Sequence, residues 1–146
     1  MSGVKYKAVA TWLALTVGVF GVHRFYLHGL KDRWAWAFPL PTLIGLVGLQ
    51  RMEHLGQDDR LAWVLIPFLG LSLVAALLGG IVYGLMPDER WNERFNGGRA
   101  ASTGGWPAVI GVVLCLFIGG IALMSTIAFS AQRYFEAQAD STSSTP

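Results

Sequence analysis

Charge is what this 146-residue chain has least of. Asp, Glu, Lys and Arg make up 14% of it, where a soluble domain carries about 25%. Four segments, 8–22, 34–49, 61–86 and 106–131, contain none at all. A proton- or ion-coupled transporter needs an ionisable group inside the membrane, so this absence counts against coupled transport. Cysteine is nearly missing too. Cys115 stands alone, which excludes an internal disulfide and reads as a small packing residue. A net charge of +2 is too small for a nucleic-acid partner, and the basic residues sit at segment ends rather than along one face. His23, His28 and His54 gather no cysteine or carboxylate at ligand spacing, so no metal or cofactor is expected. Ser125 and Ser130 have no partner base, and Glu53, Asp58 and Asp59 read as groups that solvate a turn. The chain is not expected to be an enzyme.

What is present is apolar: 53% of the residues are hydrophobic and the mean hydropathy is +0.48. Crossing about 30 Å of hydrocarbon takes roughly 20 helical residues. Segments 61–86 and 106–131 reach that length, whereas 8–22 and 34–49 fall short and must recruit their flanks. The expectation is an all-α integral membrane protein with four transmembrane helices in two hairpins, plus a short interfacial helix. Residues 1–50 form the first hairpin. Residues 51–131 form the second, with an interfacial loop at 87–105, and 132–146 form a disordered polar tail. Both termini then lie on one side. No small-x-small site follows the first segment, so it reads as an uncleaved helix.

Several local signals refine this plan. Pro39 and Pro41 predict a kinked second helix starting near Asp32 or Trp34. Residues 50–60 read as a charged turn in which Asp58 or Asp59 caps the third helix. Trp91 and Phe95 share a face of a short helix that Asn96-Gly97-Gly98 ends, and that face is expected against lipid. Ser72, Ala76, Gly80 and Gly84 recur every four residues, as do Gly111, Cys115 and Gly119. Small residues at that spacing let helices approach closely, within one chain or between copies in a homo-oligomer.

The most specific stretch is 18–29, GVFGVHRFYLHG. If the first helix runs on through it, Arg24 snorkels to the headgroups while Phe25 and Tyr26 join the aromatic belt. Lys7, Gly18, Gly21, His23, Arg24, Phe25, Tyr26 and Leu27 together resemble the TM-two domain, two membrane helices joined by a motif-bearing turn. His28 stands where that family has glycine, and the second helix lacks the family's Trp and Ile-Asp ending. The resemblance covers the first third of the chain. It implies a membrane protein, the inner (cytoplasmic) membrane for a bacterial source, and a cytoplasmic motif turn. Charge does not orient the four-span plan, which divides the basic residues five against six.

The function expected is a non-enzymatic scaffold or adaptor. In it His23, Arg24, Phe25, Tyr26, Lys31 and Arg33 engage anionic lipid headgroups or another membrane protein. The alternative is an oligomeric channel or transporter built on the glycine faces.

Overall fold

The computed structural model describes residues 3–100 and 102–143, and among them every regular element is helical. Helix α1 (Lys7–Val17) ends in a 3-10 turn, Gly18–Phe20, followed by α2 (Val22–His28), α3 (Arg33–Ala37), α4 (Pro39–Leu55), α5 (Arg60–Leu85), α6 (Asp88–Asn96) and α7 (Gly105–Ser143). Two helices, α5 and α7, are long and apolar enough to cross a membrane. Only 22% of the residues in each apolar window are buried. Leu71, Leu78 and Val82 on α5, and Val113, Phe117 and Ile121 on α7, are exposed. A soluble core helix would be covered, and water does not tolerate an apolar surface of this extent. Lipid is the medium that fits.

Helix α5 is the axis, with α1, α4 and α7 packed along it. The order of contacts fixes the directions. Thr11 meets Gly84, Ala14 meets Gly80, and Gly18 meets Ala76, so α1 runs antiparallel to α5. Gly80 meets Cys115 and Gly119 meets Leu77, so α7 is antiparallel to α5 and parallel to α1. Thr42 contacts Ser72 and Gly45 abuts Leu69, so α4 is antiparallel to α5 as well. The small-residue stripe thus accepts α1 as a wedge between α5 and α7.

The four-span plan needs the first apolar segment to continue straight through the motif, and it does not. Gly21 adopts φ 73°, a left-handed conformation that glycine takes without strain. A Cβ there would lie 2.5 Å from the Ala35 carbonyl oxygen. Helix α2 then folds back along α1. Tyr6 N–H donates to Tyr26 Oη at 3.1 Å, the Lys5 ammonium donates to the Leu27 carbonyl, and Leu27 shares a core cluster with Ala10. The end of the motif returns to the level at which α1 began.

The second apolar segment breaks at Phe38, which stays right-handed helical at φ −70° and ψ −46°. Pro39 opens α4 there, where its missing donor costs least. Residues 33–55 therefore run as one bent rod of about 34 Å. The expected charged turn at 50–60 is shorter than the sequence indicated. α4 continues to Leu55, and Asp59 caps α5 by accepting from Leu61 N–H at 3.3 Å. The polar tail expected to be disordered from 132 is helical as far as Ser143. Gln132–Glu136 and Tyr134–Gln138 hydrogen bonds, each four residues apart, support that extension. Residues 144–146 lie outside the described residues.

A close approach of helix to backbone involves two glycines outside the four-residue stripes. A Cβ at Gly45 would lie 2.5 Å from the Leu69 nitrogen, and one at Gly48 2.9 Å from the Ile66 nitrogen. Backbone cannot retract as a side-chain tip can, so Gly45→Ala should destabilise the bundle by about 1–3 kcal/mol. A Cβ at Gly120 meets nothing within 4 Å, and Gly120→Ala should change stability by less than about 0.5 kcal/mol. Thermal unfolding in detergent micelles checks both, and equal tolerance would mean that α4 and α5 do not touch.

Candidate functional site at the motif end

One end of the bundle collects the start of α1, the motif turn, the end of α5, α6 and the start of α7. Lys7 organises it. Its side chain is 9% exposed and pairs with Asp88, while its ammonium also donates to the Met86 carbonyl at 3.1 Å. Asp88 Oδ2 accepts from Gly104 N–H at 3.1 Å. The Lys7 bond and the Gly104 bond together hold the Asp88 carboxyl below the usual carboxylate range. One ion pair thereby ties α1 to the α5–α6 junction and to the approach to α7.

Helix α6 completes the clamp. Trp91 is fully buried and donates its indole N–H to the Lys5 carbonyl at 2.8 Å. Asn92 brackets Ser102, donating to its carbonyl at 3.0 Å and accepting from its N–H at 3.1 Å. Asn96 exchanges hydrogen bonds with the Lys5 backbone at 2.8 and 3.1 Å. The Trp91 ring packs against Phe95 at 4.5 Å and Tyr83 at 6.2 Å. The aromatic face of α6 therefore points into the protein and not toward lipid. A Trp with a polar handle finds both an apolar cover and a carbonyl there.

The motif residues divide by role. His23 is 1% exposed, edge-on to Phe38 at 5.3 Å and beside Tyr83 at 6.1 Å. It sits inside the bundle, not among headgroups. Tyr26 covers the Ala10–Leu27–Trp91 cluster, and Phe25 stacks edge-on against Trp36 at 5.2 Å. Arg24 Nε donates to Asp32 Oδ2 at 3.1 Å, and Asp32 Oδ1 also caps α3 by accepting from Trp34 N–H at 3.1 Å. Desolvation pushes the Asp32 carboxyl up, but the Arg24 hydrogen bond, the Trp34 N–H and the flanking cations outweigh it and hold the group low. Arg24 is thus engaged in shaping the turn. Lys31 and Arg33 are exposed, with the exposed Trp34 and Trp36 beside them.

The packing residues lie where helices meet. Ser72 donates to the Leu69 carbonyl at 2.9 Å, and Ala76, Gly80, Gly84, Gly111 and Cys115 are buried. Gly119 faces Leu77. Lys7, Asp88, Trp91, Asn92 and Asn96 were absent from the expected site. Lys7 stood out only as part of the TM-two resemblance and Trp91 only as part of the apolar face of its short helix, while Asp88, Asn92 and Asn96 had the signal that positions 88, 92 and 96 share a helix face. Among the described residues no group of three His, Cys, Asp or Glu could hold a metal ion.

A helical bundle with two membrane-length helices and a lipid-type surface defines a membrane protein. Residues 3–52 match the TM2 domain family, so the resemblance read from the motif is shown for that third of the chain, while α5, α6 and α7 lie beyond it. Neither a curated protein nor a solved structure matches the chain.

Removing either partner of the clamp should not cost equally. Asp88→Ala leaves the Lys7 ammonium buried with one carbonyl, for about 2–4 kcal/mol, whereas Lys7→Met leaves a half-exposed Asp88 that water can solvate, for about 1–2 kcal/mol. Because the folded-state pKa of Asp88 is depressed, its contribution is present above the ordinary carboxylate value and is lost as pH falls through the lowered one. Unfolding curves at pH 7 and pH 3 should therefore show a smaller acid-induced loss for Asp88→Asn than for wild type. Equal losses would mean that Asp88 does not carry this linkage.

Proposed function

We propose that this is a non-enzymatic multi-pass membrane scaffold that crosses a cytoplasmic membrane three times. The α3–α4 rod, α5 and α7 are the crossings, and α1 with α2 is a re-entrant hairpin. The observation that carries the reading is the return of Leu27 to Lys5. A hairpin that enters and leaves on one side puts the N-terminus and the motif turn together and the termini on opposite sides.

This arrangement also changes the distribution of charge. Arg51, Arg60 and Arg133 are the basic residues at the far end, where Arg133 stacks over Trp63 at 4.9 Å. The remaining eight of the eleven Lys and Arg residues lie at the motif end. Short connections rich in Lys and Arg stay in the cytoplasm, which supports a cytoplasmic motif end. The role that fits is to hold the TM2 hairpin rigidly within the bundle and present the motif end to headgroups or a membrane partner. The glycine stripe of α5 is covered by α1 and α7 of the same chain, which supports packing within one chain as its role.

Single cysteines in a Cys115→Ser background test the topology with a membrane-impermeant thiol reagent on sealed vesicles. Gly3 and Leu30 should label from one side, and Gln57 and Asp140 from the other. Labelling of Gly3 and Leu30 from opposite sides would restore a spanning first helix and overturn the proposal.

A further inference from the structure

We infer that residues 30–36, at the rim of the motif end, form a docking surface for anionic phospholipid headgroups. The inference rests on the membrane placement just proposed and supplies its ligand. In this stretch Leu30, Trp34 and Trp36 are 76%, 71% and 62% exposed, and Lys31 and Arg33 are exposed between them. The intervening Asp32 is already bonded to Arg24 and to the Trp34 N–H, and its carboxyl is held ionised. Arg24 and Asp32 cancel, so Lys31 and Arg33 leave two positive charges uncompensated.

The combination of exposed apolar and exposed basic side chains in one short stretch says what kind of partner fits. Three large apolar side chains in water would make a costly patch. At a bilayer surface Trp rings and Leu enter the acyl boundary, and the cations between them reach the phosphate layer. Trp36 keeps its N–H satisfied on the way down by donating to the Leu30 carbonyl at 3.1 Å. Charge over the whole end has the same sign. Glu53, Asp58, Asp59, Glu136 and Asp140 lie at the far end, so four of the nine acidic residues face eight basic ones here. An anionic phospholipid complements that excess and a zwitterionic one does not. Arginine adds planar donors that match a phosphate.

The test uses the full chain in nanodiscs or micelles containing phosphatidylglycerol and phosphatidylcholine, with bound lipid counted by native mass spectrometry. Wild type should enrich phosphatidylglycerol. Lys31→Gln with Arg33→Gln should reduce that enrichment by up to roughly thirtyfold, a factor of about five for each cation, and high salt should weaken it. Lys31→Arg with Arg33→Lys keeps both charges and should keep the preference, which separates charge from folding. Arg60→Gln, at the far end, should leave it unchanged. No phosphatidylglycerol preference in wild type, a preference that survives the double Gln variant, or an equal loss in Arg60→Gln would each overturn the inference. The thiol-labelling result stands apart from all of these, so a failed lipid site and a failed topology give different outcomes.

Discussion

A chain that reverses inside a bilayer must satisfy its own backbone there, because hydrocarbon offers no hydrogen bonds. In the re-entrant topology proposed above, that constraint governs the first half of this protein. The turn at Gly18–Phe20 closes on itself, with Gly21 N–H donating to the Gly18 carbonyl at 2.8 Å. The Thr42 hydroxyl reaches across from α4 to the Val19 carbonyl at 2.7 Å and stands 3.0 Å from Ser72 Oγ on α5. The reversal is possible because two other helices cover it, and they come close enough because their contact faces are glycine, alanine, serine and threonine. One of the two, α4, belongs to the TM2 match and the other, α5, lies beyond it, so the short hairpin draws its cover from both parts of the chain.

The open end of the hairpin has the opposite problem, since it must be held down where water can compete. The buried Lys7 ammonium, Asp88, the Asn92–Ser102 pair and the Trp91 indole answer it. They fasten the α1 start, α6 and the loop before α7 into one polar cap over an aromatic cluster. A buried ion pair adds little net stability by itself, but each partner makes loss of the other expensive. The cap fixes geometry more than it raises total stability.

The parts of this arrangement legible in the sequence were those set by local chemistry. The motif, the two long apolar helices, an aspartate cap at 58 or 59, a kink at the prolines and the glycine stop at 97–98 all follow from a few adjacent residues. Direction was not legible. Segment 8–22 followed by HRFYLHG is equally a helix that recruits its flank and a helix that turns, and only contacts between residues distant in sequence, Lys5 with Leu27, Tyr6 with Tyr26 and Gly21 with Ala35, decide between them. The amphipathic pattern of α6 showed an apolar face but not what covered it. The stripe on α5 announced close packing, yet α1 wedges into it beside α7. Arg24 looked free because its partner, Asp32, lies eight residues away across a turn.

The whole account depends on α2 returning to the start of α1. Spin labels at Tyr6 and His28, in a Cys115→Ser background in lipid nanodiscs, measure that return by pulsed electron paramagnetic resonance. A straight helix over the 22 residue steps from one to the other would separate the two positions by about 33 Å. The re-entrant hairpin predicts a narrow distribution below about 20 Å, since the Tyr6 N–H already reaches Tyr26 Oη at 3.1 Å. A distribution centred near the helix length, about 30 Å or more, would contradict it.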